Sequence, residues 1–90
     1  EWDVPEDIYQ RNVTVSDAKK NIGCIGGNFV RSRGDHFVYK FEGARSWPLT
    51  LRDPVPTSHL NQLVSITGYP MNVIKTALIH GRFPRKILRF

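Results

Sequence analysis

Apolar positions along the 90-residue chain change their period as they go, and each change predicts an element. Val15, Ala18, Ile22 and Ile25 recur at helical spacing, with Lys19, Lys20 and Asn21 between them. That spacing predicts a short amphipathic helix with a basic outer face. Thr14 is placed to cap it, Asp17 suits its positive N-terminal end, and Gly26-Gly27 stops it. From Asn28 the pattern changes to strands. Asn28–Ser32 and His36–Glu42 read as a hairpin around Arg33-Gly34-Asp35, and Trp47–Arg52 reads as a third strand. Phe37, Tyr39 and Phe41 alternate with His36, Val38, Lys40 and Glu42, while Trp47, Leu49 and Leu51 alternate with Pro48, Thr50 and Arg52. The two apolar sets belong on one sheet face against a helix, with His36 and Lys40 on the other. Pro48 makes the third strand an edge.

Asp53-Pro-Val-Pro56 breaks the sheet. Thr57 or Ser58 is expected to cap a helix reaching about Ile66, apolar at Leu60, Leu63, Val64 and Ile66 and ended by Gly68. Pro70 falls in the first turn of a last helix, which buries Val73, Ile74, Ala77 and Leu78 and closes at Gly81. Residues 1–13 are acidic with little periodicity and read as an arm or a single short turn, and 81–90 read as a basic, aromatic-tipped tail. The expected organisation is therefore an arm over 1–13, a domain over 14–80 and a tail over 81–90. Its fold class is α+β: a two-layer sandwich of helix, three-stranded antiparallel sheet and helix, with an additional C-terminal helix.

Composition narrows what such a domain does. Hydrophobic residues make up 40%, enough for a core and too many for wholesale disorder. No apolar run approaches the roughly 18 residues that span a bilayer, so no membrane partner is expected. One cysteine, Cys24, cannot form an intramolecular disulfide or a Cys-based zinc site, and no signal-peptide pattern opens the chain. Both point to a reducing, cytoplasmic setting. The net charge of +5 points to a polyanion, of which nucleic acid is the commonest. Its distribution is uneven. Residues 1–45 carry seven basic and seven acidic side chains, whereas 46–90 carry six basic and one acidic. Within the first half the acids lead, and the basic residues gather around Lys19, Lys20, Arg31, Arg33, Lys40 and Arg45.

The order helix–strand–strand–strand–helix is the plan of a double-stranded-RNA-binding domain (dsRBD). Several stretches carry a closer likeness: the helix ending in Gly26, Arg31-Ser-Arg-Gly-Asp-His36, Val38-Tyr39-Lys40 followed by Gly43, Leu49-Thr-Leu51, and Pro56-Thr-Ser-His-Leu60-Asn-Gln-Leu63-Val64-Ser-Ile-Thr-Gly68. In that order and spacing, residues of about 15–80 resemble the HicA family of small toxin ribonucleases, which have a dsRBD-like fold. Asp35 stands where the family has Ser or Asn, Phe37 replaces a frequent second histidine, and a P-x-H after the third strand is absent. The resemblance implies an mRNA interferase, a metal-independent endoribonuclease with His36 as the general acid and base, and a HicB-like antitoxin as protein partner. No cofactor is expected.

The chemistry fits the residue types. RNA is cleaved without a metal when a base takes the proton of a 2′-hydroxyl and that oxygen attacks the neighbouring phosphate. An imidazole titrating near neutrality suits this, and cations offset the charge that builds on the phosphate. Asp35 either orients the imidazole or repels the phosphate. A domain that reads RNA by shape touches phosphates and 2′-hydroxyls with Lys and Arg. The candidates are Lys19, Lys20, Arg31, Arg33, Lys40, Arg45 and Lys75, with Arg82, Arg85 and Lys86 beside Lys75 as a second patch. Phe37, Tyr39 and Phe41 read as core rather than as base-stacking platforms. His59 reads as solvated or capping, and His80 as a cation at a helix end. The three histidines lack metal-ligand spacing, so no metal is expected.

A competing reading makes residues 60–79 a helix-turn-helix that binds DNA, with Gly68 at its turn and Met71, Asn72, Lys75 and Thr76 facing the major groove. The run 60–84, closing with Gly81-Arg-Phe-Pro84, is similar to excisionase-type and AlpA-type proteins. A non-catalytic RNA- or protein-binding module is the third class.

Overall fold

A computed structural model describes residues 1–87 and places the core between a helical cluster and one face of a three-stranded antiparallel sheet. The elements run β1 (Trp2–Asp3), a 3₁₀ turn (Glu6–Tyr9), α1 (Val15–Asn21), a second 3₁₀ turn (Ile22–Ile25), β2 (Gly27–Arg33), β3 (His36–Phe41), β4 (Trp47–Thr50), α2 (Thr57–Thr67), α3 (Met71–His80) and β5 (Arg85–Lys86). The sheet order is β2-β3-β4, so Pro48 does lie on an edge.

Helix α1 is capped twice. Thr14 Oγ1 accepts the Asp17 N–H at 3.0 Å, and the Val15 N–H donates to the Asp53 carboxylate at 2.6 Å. The expected helix to Ile25 stops at Asn21 and tightens into the second 3₁₀ turn. The Asn21 amide donates to the Leu78 carbonyl at 2.7 Å, and Gly23 adds little helical preference. Gly26, at φ +95°, completes the stop. Its neighbour Gly27 opens β2 where a Cβ would lie 2.6 Å from Ile22 Cγ1 and 2.9 Å from Phe41 Cζ, so the close packing requires glycine.

β4 ends at Thr50 rather than Arg52. The Leu51 N–H donates to the Asp35 carbonyl and the Arg52 N–H turns back to that of Thr50. The chain thus leaves the ladder, and Leu51 is exposed instead of entering the core. Helix α2 is capped by Pro56, not by Thr57 or Ser58: the Pro56 carbonyl already accepts the His59 and Leu60 N–H groups. Pro70 stands likewise just before the first turn of α3. α3 is the hub of the helical part, with α1, α2 and both 3₁₀ turns packed on it. The sheet meets this part through α2 against β4 and the second 3₁₀ turn against β2.

Residues 1–13 contribute more than an arm. Ile8 and Val13 are fully buried, and the Val13 carbonyl accepts the Val55 N–H. β1 pairs antiparallel with β5, setting Trp2 opposite Lys86, and Trp2 stacks on Phe83 and meets Tyr69 edge-on. The acidic start and the described part of the basic tail therefore hold each other. Phe90, the aromatic tip of the expected tail, lies outside the described residues. No helix among the described residues is long and apolar enough to cross a membrane.

Candidate functional site

The site is built on the β2–β3 hairpin. Arg33 pairs with His36 across a two-residue connection, Gly34-Asp35, with Gly34 at φ +61°. Glycine at the first central position is what a type II′ hairpin turn uses, and this turn holds His36 at the start of β3. Residues paired across an antiparallel ladder project to the same face. Phe37 pairs with Leu49 and Tyr39 with Trp47, which fixes the inner face; His36 pairs with Thr50 and Val38 with Pro48 on the outer one. His36 and Lys40 therefore share the outer face, as their alternation predicts.

Arg31 and Arg33 reach that face by an irregularity. Counting in steps of two from Phe29, which opposes Tyr39, would place both arginines on the inner face. The register shifts between Phe29 and Arg31, so that Arg31 opposes Val38, Ser32 opposes Phe37 and Arg33 opposes His36. Val30 is the additional residue of this bulge. The shift puts Arg33 directly across from His36 and Arg31 on the diagonal. Lys40 lies four residues along β3, about 13 Å away. All three basic residues are exposed.

Asp35 Oδ1 lies 2.9 Å from His36 Nδ1. An ionised carboxylate only accepts hydrogen bonds, so in the neutral ring Nδ1 carries the proton and Nε2 is the free base. The geometry thus has Asp35 orienting the imidazole. Both side chains are open to solvent, His36 at 44% and Asp35 at 65%.

Other predicted contacts are dispersed. Lys19 sits on the inner side, its ammonium 4.6 Å from the centre of the Phe37 ring. Lys20 is an exposed residue of α1, and Arg45 is exposed in the β3–β4 connection, at the end of β3 opposite His36. Lys75 lines a separate depression with Ile8, Tyr9 and Asn72. Arg82 and Arg85 line a cleft with Asp3 and Phe83, and Lys86 rests over Trp2. Tyr39 and Phe41 are core, Phe37 is half-buried, and Phe29, which alternation did not single out, is 56% exposed.

The remaining histidines lie away from the hairpin. His59 engages through its backbone, whose carbonyl accepts the Trp47 indole N–H at 3.0 Å. Its half-buried ring, rather than being solvated or capping α2, has Nδ1 covered and without a hydrogen-bond partner among the described residues. His80 Nε2 lies 3.1 Å from the Asp7 carboxylate, which also accepts from Arg11. The Arg11 hydrogen bond, with a further one from His80, holds the Asp7 carboxyl below its ordinary range. Burial pushes the Cys24 thiol up, which disfavours a thiolate nucleophile at neutral pH.

Helix α3 is covered almost all round. Val73, Ile74, Thr76, Ala77, Leu78 and Ile79 are buried, and the Thr76 hydroxyl donates to the Asn72 carbonyl. Thr76, expected at a major groove in the helix-turn-helix reading, faces the protein interior instead.

Comparison with family models, with curated proteins and with solved structures finds no match for this chain.

Proposed function

We propose that this chain binds RNA and cleaves it as a HicA-like, metal-independent endoribonuclease built on a dsRBD-like plan. The observation that carries this reading is the convergence of His36, its Asp35 partner, Arg33, Arg31 and Lys40 on one exposed sheet face. Nε2 of His36 takes the proton of a 2′-hydroxyl, the 2′-oxygen bonds to the adjacent phosphorus, and the bond from phosphorus to the 5′-oxygen breaks. The imidazolium returns the proton to that leaving oxygen, so the products are a 2′,3′-cyclic phosphate and a 5′-hydroxyl. Arg31 and Arg33 offset the charge on the phosphate oxygens in between. Asp35 holds the ring in the productive tautomer, the role a carboxylate plays beside a catalytic histidine elsewhere.

The element order supports the dsRBD-like plan, and the basic hairpin face suits a cytoplasmic mRNA as substrate. It also suits an acidic, HicB-like antitoxin as the protein that would cover it. Burial of Thr76 and most of α3 weighs against the DNA reading.

The test is cleavage of an end-labelled RNA in the presence of EDTA. His36→Ala should lower the rate by about 10²–10⁴-fold with an unchanged melting temperature. Full activity in that variant, or none in the wild type against any RNA, would sink the reading.

A further inference from the structure

Cover over the inner face of the sheet falls off from one edge to the other. Trp47 and Leu49 on β4 are fully buried, Tyr39 and Phe41 on β3 nearly so, Phe37 is half-buried, and Phe29 on β2 is more than half exposed. Phe29 is nevertheless held in place. Its ring meets Phe37 edge-on at 5.3 Å and Tyr39 at 5.8 Å, and Phe37 in turn carries the Lys19 ammonium. The result is an open aromatic ledge on the inner side of the hairpin, with one cation beside it. The outer side of the same strand presents Arg31 and Arg33.

We propose that Phe29 is a stacking platform for an unpaired RNA base, with Lys19 taking a phosphate beside it. This rests on RNA being the ligand of the hairpin. An unpaired strand that crosses the β2 edge lays a base on Phe29 and carries its backbone from Lys19 on one face to Arg31 and His36 on the other. An aromatic ring held by neighbouring rings yet more than half exposed, with cations near, is the arrangement that single-strand binding uses. A second copy adding its own strand to β2 is disfavoured. The Val30 bulge breaks the regular ladder, and pairing would crowd Arg31 and Arg33 against their counterparts. On this reading the site takes looped or single-stranded RNA in preference to a continuous duplex.

The experiment measures binding of a labelled single-stranded RNA of about eight nucleotides, its abasic counterpart and a paired duplex, at fixed low salt. It is done in the His36→Ala background so that the RNA survives. Phe29→Leu, which keeps an apolar contact with Phe37, should weaken single-strand binding by about tenfold. It should leave the abasic strand and the duplex unchanged, and Phe29→Tyr should bind as the parent does. Equal single-strand binding by parent and Phe29→Leu overturns the proposal, and so does a self-association seen by sedimentation and lost in Phe29→Leu without change in RNA binding. The two readings fail separately. Cleavage by the wild type with no Phe29 effect removes the stacking platform alone, whereas Phe29-dependent binding without cleavage removes the nuclease alone.

Discussion

The two edges of the sheet are opposites. β4 lies under α2 with Trp47 and Leu49 fully buried, its indole N–H spent on the His59 carbonyl, and Pro48 on its ladder. β2 keeps only Gly27 buried; every residue from Asn28 to Arg33 is exposed. Both edges resist pairing with a further strand, one by proline and one by a bulge with arginines. The difference teaches where this small domain buries its apolar surface and where it leaves charged and aromatic groups open. The β4 edge is anchored through buried area, and the β2 edge presents charge, imidazole and an open ring on a scaffold the other edge makes rigid.

The largest blow to that contrast is at the anchored edge. Trp47→Ala should cost about 3–5 kcal/mol, read as a lowered denaturation midpoint with loss of cooperative unfolding in a domain this small. A midpoint within error of wild type would mean that β4 is not the anchor. Gly27→Ala probes the point where β2 joins the core. Overpacking against Ile22 and Phe41 should cost about 1–3 kcal/mol in urea titration, and a neutral result would show that the second 3₁₀ turn yields. On the open edge, Arg31→Ser and Arg33→Ser should each change stability by less than about 0.5 kcal/mol. The salt slope of RNA binding should drop by about one for each cation removed.

The smallest effect is electrostatic and lies outside the sheet. Asp7 has its folded pKa depressed below the ordinary 3.8, chiefly by the Arg11 hydrogen bond. A depressed carboxylate contributes stability above its unfolded pKa and loses it as pH falls through the folded value. Asp7→Asn should therefore lower the melting temperature slightly at pH 7, flatten the profile below about pH 4 and converge with the wild type at the acid end. An unaltered acid limb would show that the His80–Asp7–Arg11 contacts are too exposed to matter.

Much of the fold was legible because it is written in local signals. Alternation marked β3 and the start of β4, and glycines at 26, 68 and 81 marked helix ends, all three with positive φ. The α1 cap at Thr14 was readable from its neighbours; the second cap, Asp53, was not, because it arrives from 38 residues away. Ile8 and Val13 went unseen as core for a related reason: the acidic stretch 1–13 scatters its apolar residues without a period. For the site, alternation placed His36 and Lys40 together. Arg31 and Arg33 were near in sequence, but their face depends on a bulge that leaves no periodic trace, since Phe29 and Val30 are adjacent apolar residues in a strand without alternation. Lys19, grouped with the others by charge, packs on the opposite face because α1 runs beside Phe37.

The pairing of β1 with β5 has a spectroscopic consequence. The chain holds two tryptophans, Trp2 in that two-residue ladder and Trp47 in the core. A ladder of two residue pairs sets few hydrogen bonds against the freedom that the short segments outside the core regain when it opens. It opens at lower free energy than the core does. The indole emission of this protein is accordingly two signals in one: Trp2 reports the unfastening of the ends at low denaturant, and Trp47 stays dark to it until the domain as a whole gives way.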